Sequence, residues 1–277
     1  YSTNFATSNA NIKITSATAA VTSTINSLIL GSGASITNPG SSQTITLTSG
    51  NIINLQTSGT IAGANTTIAG GSVELKIFNP VSLDISSLVT TTGGLTKAGD
   101  GTLTFSTAKT YTGLTSVNQG TLLYGINDAI SSGNVTVNGG TLDMSTFSDT
   151  VGAVIMQGGT ITGSTGVLTG TSYNFREGTV SAIIGGTAVA VTRIATNTAV
   201  DSVVILTRDN TYTGAVTITS GILKLGGAGG GTNTPLGTSA GGVSVANVAA
   251  LDLNGYTLGA AEGLTIAGLG YGPNTTV

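Results

Sequence analysis

Short stretches of alternating apolar and polar residues run along most of the chain. From residue 27, segments of roughly three to five residues rich in Val, Ile, Leu and Thr recur, each bounded by Gly, Asn or Ser. Residues 73–77 and 81–85 alternate strictly. A period of two is typical of a β-strand with one buried and one exposed face. No segment carries the i, i+3, i+4 stripe of an amphipathic helix, so the pattern predicts an all-β protein.

The most distinctive stretch, residues 93–122, returns later in the chain. Its TYTG at 110–113 recurs 101 positions further on at 211–214, and its GTL at 120–122 recurs at the same offset as GIL. Self-similarity of this kind is typical of solenoids, in which each repeat stacks on its neighbours. The sequence therefore contains one supersecondary unit twice, and the glycine-rich residues 226–231 form a loop insertion in the second copy.

Two architectures suit many short strands joined by turns, a sandwich or barrel and a parallel solenoid. Sandwiches favour two-residue hairpins and rarely repeat in series. Here the recurrent device is Gly before Thr-Leu, Thr-Ile or Thr-Val, as at Gly139, Gly158 and Gly178. Stacked coils also disfavour like charges, which would lie about 4.8 Å apart. We therefore predict a parallel β-helix of on the order of 11 to 14 coils, a rod on the order of 50 to 65 Å long.

The domain organisation follows from the same rhythm. We interpret residues 1–26 as an N-terminal cap or linking segment and residues 27–277 as one continuous β-solenoid. The solenoid contains two related repeat units, at about 93–201 and 202–277. Residues 272–274 do not suggest a cap, so we expect a longer parent chain or docking onto another subunit.

Composition excludes several classes of function. Only 7% of residues are charged, against about 25% in ordinary globular proteins, whereas 39% are hydrophobic. Lys and Arg do not cluster, which argues against nucleic acid as a partner. The absence of Cys and His removes disulfides, thiolate metal sites and the commonest general base. No apolar run reaches the length of a membrane helix, so we expect no membrane insertion in this segment. We also expect no cofactor.

The segment GGLTKAGDGTLTFS at 93–106, with TYTG at 110–113 and VNQGTL at 117–122, resembles the autotransporter-associated β-strand repeat, the passenger-associated repeat of bacterial autotransporters and very large surface proteins. Weaker likeness returns at 204–223. The resemblance implies a right-handed parallel β-helix outside a bacterium, in adhesins, matrix proteins or long fibrous proteins.

Tyr111 and Tyr212 occupy equivalent repeat positions. They could form a platform on which sugars stack, or they could pack at a coil corner. We favour packing, because TYTG has the pattern of a strand followed by a turn.

Carboxylates also repeat, as Asp143 and Asp252, with Asp149 near the first. Paired carboxylates serve glycosidases and calcium sites, but a hydrolase needs two of them facing each other across a substrate. Asp143 alternates with Leu142 and Met144, so we expect it to point outward. Asp100, between two glycines, is interpreted as a turn residue.

The remaining candidates suggest surface chemistry only. Glu74 with Lys76, and Arg176 with Glu177, fit exposed ion pairs of little energetic consequence. The loop at 226–231 lacks the Gly-Lys-Ser/Thr of a phosphate cradle. Glycosylation sequons begin at Asn65, Asn134 and Asn274.

We therefore expect no catalytic, cofactor-binding or metal-binding residues. The favoured hypothesis is a non-enzymatic extracellular structural protein, a β-solenoid rod or filament segment at a bacterial surface or in its matrix, with itself as partner. The alternative is an autotransporter-like adhesin passenger that binds glycans or cell surfaces. An enzyme acting on polysaccharides is least favoured.

Overall fold

The computed structural model describes residues 3, 5, 8–38, 40–55, 58–195, 202–259 and 261–268. Within these ranges the chain forms β-strands and no helix. It divides into two compact units. Unit 1 comprises Tyr1–Asn134 and Gly140–Asp143, and unit 2 comprises Val135–Gly139 and Met144–Val277.

Unit 1 is built from short strands of three to six residues and two longer ones. They are β1 (Asn11–Ile14), β2 (Ala17–Ala19), β3 (Ser23–Leu30), β4 (Ser35–Thr37), β5 (Gln43–Asn54), β6 (Ser58–Ile61), β7 (Thr66–Gly71), β8 (Leu75–Phe78), β9 (Ser82–Ile85), β10 (Leu88–Thr91), β11 (Leu95–Ala98), β12 (Thr102–Phe105), β13 (Thr115–Val117), β14 (Thr121–Tyr124) and the end of β15 (Val135–Asp143).

Three parallel ladders run through unit 1. The first joins β1, β3, β5, β8, β11 and β13. The second joins β2, β4, β6, β9, β12, β14 and the end of β15. The third joins the first halves of β3 and β5 to β7 and β10. Leu75 is in register with Leu95, and Leu95 with Thr115, so a coil here takes 20 residues.

The interior of unit 1 consists of rows of identical or similar apolar side chains. Leu83, Leu103, Leu122 and Leu142 stand in register on successive coils, and all are buried. Full burial of one such side chain contributes about 1.5–3 kcal/mol. The strict alternation in the sequence thus becomes a dry interior face and a wet outer face.

Glycine is required where one coil approaches the backbone of the next. Gly50 bends β5 with a φ of 71°, in the left-handed region. A Cβ at this position would lie 2.0 Å from the carbonyl oxygen of Glu74. No other residue fits this corner without displacing the neighbouring coil.

Unit 2 repeats this construction with strands of two to five residues and one of ten. They are the start of β15, β16 (Asp149–Thr150), β17 (Ala153–Thr162), β18 (Val167–Thr169), β19 (Ser172–Phe175), β20 (Gly178–Val180), β21 (Ile183–Gly185), β22 (Val191–Arg193), β23 (Val203–Leu206), β24 (Val216–Ile218), β25 (Gly221–Leu225), β26 (Asn233–Thr234), β27 (Gly237–Thr238), β28 (Val243–Val245), β29 (Ala249–Asp252) and β30 (Leu264–Ile266).

Unit 2 also has three parallel ladders. One joins β17, β19, β22, β24, β28 and β30, and a second joins the end of β17 to β20, β23, β25 and β29. A third, shorter ladder joins β16, β18 and β21. The sequence offset between paired residues grows to 27 between Val216 and Val243, because the glycine-rich insertion lies between them.

The predicted fold class is confirmed. The protein is all-β, and its parallel strands stack as a β-solenoid of about 12 turns, within the predicted number of coils. Two details differ from the sequence pattern. Strands β5 and β17 are longer than predicted because they continue around a corner, and β26 and β27 form an antiparallel hairpin directly after the glycine-rich loop. The handedness and the domain boundaries stay predictions, and residues 272–274 lie outside the described residues.

Candidate functional site

Both repeated tyrosines are buried, as the packing interpretation expects. Tyr111 is 1% exposed, and its hydroxyl is 2.5 Å from Oγ1 of Thr115. Tyr212 is fully buried and donates to the carbonyl of Pro235 at 3.4 Å. Because neither ring face reaches the surface, neither tyrosine is a sugar-stacking platform.

A third tyrosine completes the aromatic core of unit 2. The ring of Tyr173 lies 6.4 Å from that of Tyr212, and its single hydroxyl proton points between the carbonyls of Leu168 and Gly185, at 2.6 and 2.8 Å. Burial raises the pKa of Tyr173 to about 12. Burial, then the charge of Glu262, raises the pKa of Tyr212 well above its ordinary value. Both phenols therefore stay neutral and structural at physiological pH.

The repeated carboxylates belong to different units. Asp143 lies half-buried on the outer face of unit 1, in register with Leu123. Asp252, in unit 2, faces Lys224 at 3.5 Å and accepts a bond from the Asn254 amide. Asp149 is buried at the start of β16. In the described part of the chain no three acidic, His or Cys residues lie close enough to hold a metal ion.

The predicted surface charges make local contacts. The Lys76 amine lies 3.9 Å from Glu74, and both side chains are about half exposed. Arg176 donates Nη1 to the side chain of Gln157 at 2.8 Å, while Glu177 is exposed. Asp100 sits in its turn and accepts a bond from Gln119 at 2.6 Å. None of these contacts creates a site.

The glycine-rich loop and the sequons also lack a binding geometry. The Gly230 amide donates to Asp209 Oδ2 at 2.9 Å, so a carboxylate already stands where an anion would bind. Asn65 is half-buried beside the fully buried Thr66, whereas Asn134 is exposed. Asn274 lies outside the described residues.

An apolar groove of about 420 Å³ opens in unit 2. It is lined by Leu264 and Ile266 of β30 together with Val243 and Val245 of β28. These four residues continue the interior rows of the solenoid. The groove is therefore an exposed stretch of the solenoid interior and not a separate ligand pocket.

The feature that sequence reasoning missed is a set of buried cations. Lys97 is fully buried and donates to the carbonyls of Ala98, Gly99 and Gln119 at 2.5–3.0 Å. Lys109 is 3% exposed. A signal was present, because in Leu95-Thr96-Lys97 the lysine falls on the same face as the buried leucine.

Arg193 is the third buried cation and lies in unit 2. Its guanidinium donates to the carbonyl and hydroxyl of Ser202 at 2.6 and 2.8 Å, and to the carbonyl of Ile222 at 3.3 Å. Buried charges are tolerated only where such hydrogen bonds replace water. All three buried cations therefore donate to the protein's own backbone.

The comparisons with known proteins concern the repeated segments. The family model described as passenger-associated-transport-repeat matches residues 95–123 and 202–225. No curated protein and no solved structure matches the chain. Among the residues described, no helix has the length and hydrophobicity to cross a membrane. The resemblance seen in residues 93–122 is thus confirmed, and it extends to the second copy.

Proposed function

We propose, from the two passenger-associated transport repeats that this chain carries, that it is a non-enzymatic structural segment of a passenger on a bacterial surface. The repeat implies a secreted or surface-exposed passenger with a β-solenoid, typically without catalytic activity. The observation that carries the proposal is where the matched segments lie. Residues 95–123 form β11 to β14 and residues 202–225 form β23 to β25, all in parallel ladders.

The mechanism of such a segment is mechanical. Every coil donates and accepts backbone hydrogen bonds from its neighbours, and continuous rows such as Leu83, Leu103 and Leu122 exclude water. The chain contains no Cys, so stiffness arises without disulfides. Stacked ladders of this kind resist local opening and hence proteolysis.

The arrangement of acids supports a non-enzymatic role. Asp143 and Asp252, the repeated carboxylates, belong to different units, and Asp252 is neutralised by Lys224. Turnover of a polysaccharide that is abolished by Asp143→Ala would contradict this part of the proposal.

We further propose that the partner is the protein itself, through end-to-end or lateral association or as part of a longer parent chain. Negative-stain microscopy of the native material tests this directly. Long fibres of uniform width support the structural role, and isolated short rods contradict it. Antibody labelling of intact cells, with loss of the signal after external protease, tests the surface location.

A second candidate, an adhesin, is favoured by one observation. Ser58, Ser82, Thr102, Thr121 and Thr141 form an outward row of hydroxyls on successive coils of unit 1. A regular row of donors and acceptors about 4.8 Å apart suits a linear glycan.

A glycan array with the intact chain tests the adhesin. Binding that is lost in Thr121→Val and retained in Thr192→Val, a half-buried threonine of unit 2, would favour it. An array without any hit counts against it.

A further inference from the structure

Lys97 and Arg193 occupy the same place in the two repeats. Lys97 is in register with Val117 on the next coil, and Arg193 is in register with Ile218. Val117 and Ile218 are themselves repeat partners, 101 residues apart. The sequence does not reveal the equivalence, because Arg193 lies before the second matched segment.

In both repeats the cation lies beneath a glycine corner. A Cβ on Gly221 would lie 2.4 Å from Nη2 of Arg193. A Cβ on the repeat-equivalent Gly120 would lie 2.3 Å from the carbonyl oxygen of Gly99, which accepts from Lys97. The glycines therefore leave room for a buried cation that donates hydrogen bonds to backbone carbonyls. We call this arrangement a clasp, and each repeat contains one beneath its glycine.

Unit 1 holds a second buried amine, Lys109. Its Nζ donates to the carbonyls of Ile85 and Ser87 at 2.8 Å and to Oγ1 of Thr107 at 2.7 Å, and it lies 4.8 Å from the centre of the Phe105 ring. Like Lys97, it makes three hydrogen bonds, and the two to Ile85 and Ser87 join it to the preceding coil.

No carboxylate forms a salt bridge with either amine in the described part of the chain. The strands beside Lys97 present Ile77 and Val117 at the same register position. The carboxylate that acts on the pKa of Lys97 is Asp100 in the next turn. The carboxylate that acts on the pKa of Lys109 is Asp84 on β9.

Both acids are already engaged. Asp100 accepts a bond from Gln119, and Asp84 accepts one from Ser106. Burial lowers the pKa of Lys97 to about 8 and that of Lys109 to about 7, and the two acids oppose the shift only in part.

We propose that Lys97 and Lys109 make the interior of unit 1 a pH-responsive clasp, charged in mild acid and neutral in mild alkali, whereas Arg193 gives unit 2 a clasp of fixed charge. Arginine does not lose its proton in proteins, so only unit 1 responds.

The direction of the response follows from proton linkage. An unfolded lysine keeps its proton up to about pH 10.4, whereas the native amines release theirs earlier. Between the native and unfolded pKa values the unfolded chain binds more protons, so unit 1 becomes more stable as pH rises. Each amine lowers the unfolding constant about tenfold per pH unit within its window, and below its native pKa its effect is constant.

The direct test is a titration of the full chain labelled with ¹³C at the lysine Cε, followed by NMR. The chain has five lysines, and Lys→Arg variants assign them. We expect Lys97 and Lys109 to titrate near pH 8 and 7. Titration of both of these amines above pH 10 overturns the proposal.

The second test measures stability by pulse proteolysis in urea between pH 7 and 9.5, with mass spectrometry to separate fragments of the two units. We expect the unfolding constant of unit 1 to fall with pH and that of unit 2 to stay nearly constant. Lys97→Arg should remove the part of the decrease in the unfolding constant that Lys97 causes. Lys76→Arg, the matched exposed variant, should leave the whole decrease unchanged. An unchanged pH dependence in Lys97→Arg overturns the proposal, and the NMR titration of the unmodified chain decides the matter if that variant does not fold.

Discussion

Substitution of two corner glycines by alanine separates backbone strain from the steric demand of coil stacking. Gly50 and Gly71 have similar left-handed φ values, 71° and 60°. A Cβ on Gly50 would lie 2.0 Å from the Glu74 carbonyl oxygen, whereas a Cβ on Gly71 has nothing within 4 Å. Both glycines belong to unit 1, so the two variants share a fold, a length and a change of one methyl group.

The expected losses differ because only one variant has to move a coil. Alanine in the left-handed region costs roughly 1–2 kcal/mol, and a stiffer unfolded chain offsets about 0.4–1 kcal/mol of this. Gly71→Ala should therefore lose about 1 kcal/mol. Gly50→Ala carries the same strain plus an overlap that costs about 1–3 kcal/mol, and a displaced β8 weakens hydrogen bonds worth about 1 kcal/mol each. We expect a total of about 3–5 kcal/mol.

Urea unfolding followed by far-ultraviolet circular dichroism measures both losses. A difference of about 2 kcal/mol or more corresponds to roughly a 30-fold difference in the unfolding constant. Equal losses in the two variants would refute the claim that successive coils of unit 1 lie in direct backbone contact at Gly50. A loss confined to Gly71→Ala would contradict it equally.

Four further substitutions test the interior and the surface of unit 1 in the same urea assay. Leu103→Ala opens a cavity between two leucines of its row and should cost about 2–5 kcal/mol, whereas the outward Thr104→Ala should change stability by no more than about 0.5 kcal/mol. Tyr111→Phe removes the hydroxyl 2.5 Å from buried Thr115 and should cost about 1–3 kcal/mol, and an unchanged stability would show that this contact is unimportant. Glu74→Gln breaks an exposed ion pair and should cost less than about 1 kcal/mol, and less still in high salt.

The fold was predictable because short-range periodicity in the sequence determines the strands and their buried faces. Alternation in residues 73–77 and 81–85 defines which side chains are buried, and the repeat at 110–113 and 211–214 shows that the same coil is built twice. The hairpin at β26 and β27 was not predictable, since it follows the glycine-rich loop, which has no counterpart in the first copy. The sequence pattern predicted two short strands in place of each of the long strands β5 and β17. Glycine interrupts the alternation there but does not end the ladder of hydrogen bonds.

The buried cations were missed for a different physical reason. Sequence patterns assign charged residues to the solvent, since an unpaired buried charge is costly. In a solenoid, however, the corners direct carbonyl oxygens such as those of Gly99 and Gln119 into the interior, where water is excluded and a donor is required. A long cationic side chain from the neighbouring strand supplies that donor.

The position of the cation is therefore fixed by the coil and not by the sequence motif. Lys97 in one repeat and Arg193 in the other meet different carbonyls from equivalent strand positions. The chain has only eight basic residues, and three of them are buried. The low charge of this protein reflects an outer face built from Thr, Ser and Asn. In the interior, the buried cations bind carbonyl oxygens at the corners. The chemistry of the two cations then differs in one respect that matters, because the amine titrates near physiological pH and the guanidinium does not.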